Sequence, residues 1–221
     1  MKTTPRKRKT AKLRSAKAGM PPGSLILIGD VKIAQSRLVI LDYGPGGVVE
    51  TEIGDVAGLM AYRRQHERLW INLYGLHDVP LLKAIGDYCE LHPLAVEDML
   101  NTDQRPKLDD YGDTLYVALH RHYIHEGRVA TDQISLAIGK DFILSVQERP
   151  SGVLEPVRQR LRADRSVLRG QGSDFLAYAL LDVVVDGYFL VAETLSENGD
   201  DLEDVILDCP PPATQQRLHQ L

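Results

Sequence analysis

The hydrophobic pattern of this chain changes period once, and that change constrains the fold more than any other feature. Up to residue 147 the apolar residues fall in short β-type runs broken by short helical segments. From Pro156 onward the period is helical, first over 156–164 and then in one long segment from Ser173 to Asp208 that stops at Pro210-Pro211-Pro212. Seven runs have strand character: 24–28, 37–42, 48–53, 69–74, 114–123, 133–138 and 142–147. Gly139-Lys140-Asp141 joins the last two as a hairpin. Asp55 caps a helix expected to reach His66, Asp78 with Pro80 behind it starts one to Glu90, and His92-Pro93 opens a short one through Asn101. Strands and helices mixed, then helices alone, predict an α/β fold. The expectation is a mixed, roughly seven-stranded sheet sandwiched between helices, with the last helix projecting from it. By this reading 1–20 is a basic arm, 21–172 the sandwich, and 173–221 the long acidic helix and the start of a second helix of a hairpin.

Charge narrows the function classes. The 221 residues include 26 Lys or Arg and 31 Asp or Glu, net −5. Residues 1–29 hold eight of the basic residues and no acid, which leaves 18 basic against 31 acidic residues elsewhere, a net of −13. An acidic globule repels nucleic-acid backbones, so no nucleic-acid partner is expected outside the arm. The two cysteines, Cys89 and Cys209, lie far apart and no apolar signal core follows the basic start, which points to a reducing, cytoplasmic setting. The most apolar segment, 175–195, is interrupted by Asp182, Asp186 and Glu193, so no span is expected within the chain. The sequence stops in helix-compatible residues, Arg217 to Leu221, as a truncated chain would.

Three groups of residues can carry chemistry. Glu97 and Asp98 are adjacent acids on a short helix, about 100° apart around its axis, so they do not readily chelate one ion together. A solvated face or salt-bridge pair competes with a ligand role for them. On the long helix Asp182, Asp186, Glu193, Glu197, Asp200 and Asp204 fall within an arc of roughly 60°. That stripe is either a screened, solvated face or a counter-ion surface for divalent cations or a basic element. Gly199 within it marks a point where the helix can kink or fray. His120 and His122 share one face of a strand, a spacing compatible with zinc, although no third ligand is in register. Tyr43-Gly-Pro-Gly-Gly47 lacks the Lys-Ser/Thr of a phosphate loop and reads as a turn.

Several motifs occur in a recognisable order: Trp70-Ile-Asn72 with Gly75-Leu76, His92-Pro-Leu94 with Glu97-Asp98 and Leu100-Asn101, and Gln104-Arg-Pro-Lys107. Gln133-Ile-Ser-Leu136, Pro156-Val-Arg158, Asp174-Phe-Leu-Ala-Tyr178 and Leu181 to Phe189 follow. From Pro21 to Leu221 the chain resembles the N-terminal cytoplasmic domain of the CorA-type magnesium and cobalt transporters. The resemblance implies a homopentamer of such domains on the cytoplasmic face of the cell membrane, reaching the membrane only through a following stalk and two membrane helices. It implies Mg2+, or Co2+ or another divalent cation, as a regulatory ligand, with Asp98 bridging subunits and Glu97 and Asp182 lining a second site. It leaves the transported ion open, because the zinc-transporting branch of the superfamily shares the architecture. A metal-dependent hydrolase using Glu97, Asp98, His92 and the histidine strand is the rival reading, and it requires a complete ligand set within one chain.

Overall fold

The computed structural model describes residues 19–208. The basic arm up to Ala18 and the expected second helix lie outside the described residues. One sheet contains β1 (Arg37–Gly44), β2 (Gly47–Ile53), β3 (Arg68–Tyr74), β4 (Lys107–Asp110), β5 (Leu115–His125), β6 (Arg128–Ile138) and β7 (Phe142–Gln147). Their order is β2-β1-β3-β7-β6-β5-β4. The central pair, β3 and β7, runs parallel, with Trp70 opposite Ile143 and Asn72 opposite Ser145. The flanking pairs are antiparallel. The sheet is therefore mixed and seven-stranded, as the strand count predicts.

The membership of that seven differs from the sequence expectation in one exchange. Residues 24–28 form no strand, and Ile28 makes only an isolated bridge to Asn101. In its place Lys107–Asp110 forms the edge strand β4. Its sequence, Lys-Leu-Asp-Asp, carries three charges and a largely exposed Leu108, so no apolar alternation announces it. Charged residues on an exposed edge also discourage pairing with another chain.

Strand side chains alternate between two apolar layers. Leu38, Ile40, Leu69, Ile71, Leu73, Tyr116, Ala118, Leu144 and Val146 face one side. There they pack against α1 (Val56–Ala61), α2 (Val79–Tyr88) and α3 (Pro93–Met99). Val39, Leu41, Trp70, Leu119, Ile134, Leu136 and Ile143 face the other, against α4 (Glu155–Arg162) and α5 (Ser173–Asp208). Asp55 and Asp78 cap α1 and α2 by accepting from Gly58 N at 2.7 Å and Leu81 N at 3.0 Å. α1 ends at Ala61 rather than His66 because the chain turns back on the buried carboxylate of Asp42. That carboxylate accepts from Gln65 N at 2.5 Å, His66 N at 2.9 Å and the Tyr62 hydroxyl at 3.0 Å.

The motif residues Trp70, Asn72 and Arg158 meet beneath α4. Arg158, 6% exposed, donates to Asn72 Oδ1 at 2.8 Å and to the Tyr74 hydroxyl, and its guanidinium lies over the Trp70 ring. Ser145 Oγ donates to Asn72 Oδ1 and accepts from Trp70 Nε1, each at 3.0 Å. A buried cation thus rests on two sheet oxygens and an aromatic face, with Glu50 Oε1 3.9 Å from Nη1 as its counter-charge.

α5 spans 36 residues, about 54 Å at 1.5 Å per residue, and passes Gly187 and Gly199 without interruption. Leu176, Ala177, Ala179, Leu180 and Val184 lie buried on the sheet. By length and composition alone the stretch Ser173–Asp201 is apolar enough to cross a membrane, with a mean hydropathy of 1.8 in its best window. The sequence expectation set this segment aside for its three acids. A third of the window is buried within the fold, as the packing of its first half on the sheet requires.

Candidate functional site

α3 places the adjacent acids. His92 Nδ1 accepts from Leu94 N at 3.2 Å, Pro93 supplies the preset first turn, and Ala95, Val96 and Met99 bury against the sheet layer. Glu97 and Asp98 are left half-buried at the other side of the helix. The Glu97 carboxylate accepts from the backbone N–H of Gly23, which ties the entering chain to α3.

Asp98 is held by the residues that follow it. Lys107 Nζ lies 2.7 Å from Asp98 Oδ2 and 2.7 Å from Asp109 Oδ2. Burial alone would lower the Lys107 ammonium, but the hydrogen bonds to Asp109 and Asp98 outweigh it and hold it above the ordinary lysine range. Gln104 Nε2 donates to the Asp98 carbonyl at 2.7 Å and to Tyr116 Oη at 3.0 Å, and that hydroxyl lies 3.1 Å from Ser135 Oγ. The Gln104-Arg-Pro-Lys107 motif therefore fastens the end of α3 with Gln104 and neutralises its last acid with Lys107. Sequence reading missed Lys107 as a partner, since only the unrecognised strand β4 brings it back beside Asp98.

Asp182 lies half-buried on α5, behind the opposite face of the sheet. The fold thus brings Glu97 and Asp98 together and keeps Asp182 apart from them within one chain. Asp186, Glu193, Glu197 and Asp200 are exposed along α5, and the side chain of Asp204 lies outside the described residues. The stripe is not purely acidic. Phe175, Tyr178, Val185 and Phe189 share its side of the helix and are exposed, which a helix covered by another element would explain better than a solvated one.

The histidines on β5 are committed to hydrogen bonds, His120 Nε2 with Gln104 O and His122 Nδ1 with Thr131 Oγ1, each at 3.0 Å. Burial and then the neighbouring His120 hold the His122 imidazole below its ordinary value. Among the described residues, no three His, Cys, Asp or Glu side chains are placed to hold one metal ion directly. A groove of about 790 Å³ runs between β5, the start of α4 and α5, past Val153, Val183 and Leu190, away from Glu97 and Asp98.

A seven-stranded mixed sheet between two helical layers, with the long α5 on one of them, defines the molecule as a three-layer α/β/α sandwich. Residues 66–221 match the family described as CorA-like Mg2+ transporter protein, and the chain belongs to that family. It is 33% identical over 211 residues to the cobalt/magnesium transport protein CorA of Thermotoga maritima, covering 94% of this chain and 59% of that protein. The chain therefore spans about three fifths of that relative's length. Its fold matches the soluble domain of CorA from Methanocaldococcus jannaschii with a TM-score of 0.64 at 15% identity, covering 86% of this chain and 71% of that one. It also matches the ZntB cytoplasmic domain from Vibrio parahaemolyticus, TM-score 0.52 at 14% identity, covering 85% and 71%.

Proposed function

We propose that this chain is the cytoplasmic, divalent-cation-sensing domain of a magnesium and cobalt transporter, and that it is not an enzyme. The observation that carries the reading is the separation of Glu97 and Asp98 from Asp182 on opposite layers of one sheet. Oxygen ligands distributed in that way form half-sites, and they are completed only by an acid from a second subunit. Hard carboxylate oxygens suit Mg2+, which keeps several waters and takes one or two carboxylates directly. In this reading Asp98 supplies the bridging oxygen, Glu97 and Asp182 line a neighbouring position, and the subunits form a homopentamer.

Each chain carries a net of −13 beyond its first 29 residues, so assembled domains repel one another. Bound cations offset that repulsion and hold the closed arrangement. When they leave, unit charges about 4 Å apart repel by about 1 kcal/mol in water and about 4 kcal/mol in a partly desolvated interface. Repulsion of that size shifts a two-state equilibrium by about fivefold per site in water and by several hundredfold in the desolvated interface. The exposed acids and aromatics of α5 supply further surface for a neighbouring subunit or a basic element. The test is Asp98→Asn in the full transporter. Weaker Mg2+ protection against proteolysis, with greater influx at high internal Mg2+, is expected, and unchanged protection with unchanged feedback would overturn the reading.

A further inference from the structure

Side-chain caps of helices are ordinarily hydroxyls, carboxylates or amides, and α1 and α2 follow that rule with Asp55 and Asp78. α3, which carries Glu97 and Asp98, is capped by an imidazole instead. His92 takes up the open donors of the first turn by itself. Its Nδ1 accepts from Leu94 N at 3.2 Å, and its carbonyl accepts from Ala95 N at 2.9 Å and from Val96 N at 3.3 Å. Pro93 has no N–H to satisfy. Because the helix has only seven residues, its first turn also supports the acid pair. In α-helical geometry the N–H groups of Glu97 and Asp98 bond the carbonyls of Pro93 and Leu94, the two residues next to the cap. The other end is held by groups that do not titrate, Gln104 Nε2 on the Asp98 carbonyl at 2.7 Å and Ile28 N on the Leu100 carbonyl at 2.8 Å.

An imidazole accepts at Nδ1 only while that nitrogen carries no proton. Protonation turns Nδ1 into a donor that faces the donor of Leu94, and it sets a positive charge at the positive end of the helix. His92 is exposed, so a proton reaches the ring without any opening of the fold. The ring stacks on Tyr111, with centroids 4.6 Å apart and planes 13° apart. Burial and then the carboxylates of Asp98 and Asp109 raise the Tyr111 hydroxyl, with Lys107 opposing and Glu97 adding, so Tyr111 stays neutral. α2 presents Lys83 and Asp87, which pair at 2.6 Å, and Glu90 is exposed in the turn before the cap. Residues 19–28, which meet α3 at Gly23 and Ile28, carry no titratable side chain. Of the side-chain types in this surround, only imidazole ordinarily changes charge between about pH 5 and 8.

We infer that His92 is a pH-dependent positioning residue for Glu97 and Asp98. Neutral, it caps α3 and holds the turn from which the two acids project. Protonated, it gives up Leu94 N and the first turn frays. The consequence for cation binding rests on the reading of α3 proposed above, whereas the titrating cap does not.

The experiment is NMR on the 221-residue chain, comparing amide-exchange protection at Glu97 and Asp98 with that in His92→Asn, which caps without titrating, and in His92→Ala, which does neither. Chains are compared at the same pH, so the pH dependence of exchange itself cancels. At pH 8 the unsubstituted chain should match His92→Asn, and His92→Ala should exchange about fivefold faster, the usual effect of a lost cap. At pH 5 the unsubstituted chain should match His92→Ala. The Leu94 amide shift should follow the His92 ring signals with a single midpoint, which requires no substitution. Protection at pH 5 that still equals His92→Asn, separate midpoints for ring and amide, or equal protection of all three chains at pH 8 would each overturn the inference. In the full transporter, His92→Ala should raise the Mg2+ concentration for half-maximal protection against proteolysis several-fold at pH 8. An unchanged midpoint there, beside a cap that titrates, would overturn the cation role of α3 and leave the cap standing.

Discussion

Lys107 Nζ lies 2.7 Å from Asp98 Oδ2, so the carboxylate proposed above as the bridge between subunits already carries an ion pair made by its own chain. Lys107 is 34% and Asp98 23% exposed, so solvent still screens the pair, and screened pairs contribute about 1 kcal/mol. That is small enough for a divalent ion to displace the lysine. Asp109, at the same distance on the other side of Lys107, gives the ammonium a place to remain when Asp98 is taken. Lys107 is thus a competitor built into the proposed sensor.

Lys107→Met removes that competitor while keeping the length of the side chain. The Mg2+ concentration that gives half-maximal protection of the full transporter against proteolysis should fall several-fold. An unchanged or higher midpoint would show that Lys107 does not compete at Asp98. The ammonium is held above its ordinary range, so the effect should be the same at pH 6.5 and pH 8.

Arg158→Met tests the buried cation beneath α4. The substitution leaves Asn72 Oδ1 with Ser145 alone and removes the guanidinium from the Trp70 ring. A loss of about 2–3 kcal/mol is expected in urea unfolding, from one charged hydrogen-bond set in a closed environment. Arg158→Lys should recover only part of it, because an ammonium can replace Nη2, which donates to both Asn72 and Tyr74, but not the flat guanidinium face over the Trp70 ring or Nη1 near Glu50. Equal stability of all three proteins would show that the network carries no net stabilisation.

The elements with a strong period or a distinct cap were legible in the sequence. β1, β3 and β7 show as apolar runs, α2 follows its Asp78 cap, and α5 shows its full span from Ser173 to Asp208. β4 was not legible, because an edge strand of Lys-Leu-Asp-Asp is held by backbone pairing to β5 and not by burial. Residues 24–28 misled for the opposite reason, since their apolar side chains pack under α2 and α3 without joining the sheet. At the candidate site the acids were legible and their partners were not. Lys107 and Gln104 meet α3 only through strand pairing and hydrogen bonds that have no spacing rule in one dimension.

Cys89 should be inert while the chain is folded. It is 7% exposed, and burial pushes its thiol up to about 12, so the reactive thiolate is scarce at pH 8. In a Cys209→Ser chain, iodoacetamide should leave Cys89 unmodified over hours in buffer and modify it within minutes in 6 M guanidinium. Rapid modification in buffer would mean that α2 opens locally far more often than its packing implies.

Asp132 sets the acid limit of the fold. It is 4% exposed and is reached by Lys32 Nζ, by Arg149 Nε at 2.9 Å and by Arg121 at 3.5 Å, where the ends of β5, β6 and β7 meet. Burial alone would raise this carboxyl, but the hydrogen bonds from Lys32 and Arg149 outweigh burial and hold it below the ordinary range. A depressed folded value means that the native state binds fewer protons than the unfolded chain, so the contribution is fully present above an unfolded pKa of about 3.9. It is lost as pH falls from there through the folded value. Asp132→Asn should therefore lower stability by about 2 kcal/mol at pH 7, as expected for a hydrogen-bonded charge left without its counterpart. The gap from the unsubstituted chain should stay constant down to pH 5 and close below pH 4. A gap of the same size at pH 3 and pH 7 would show that the loss comes from packing, and that the carboxylate charge of Asp132 does not stabilise the junction of the three strands.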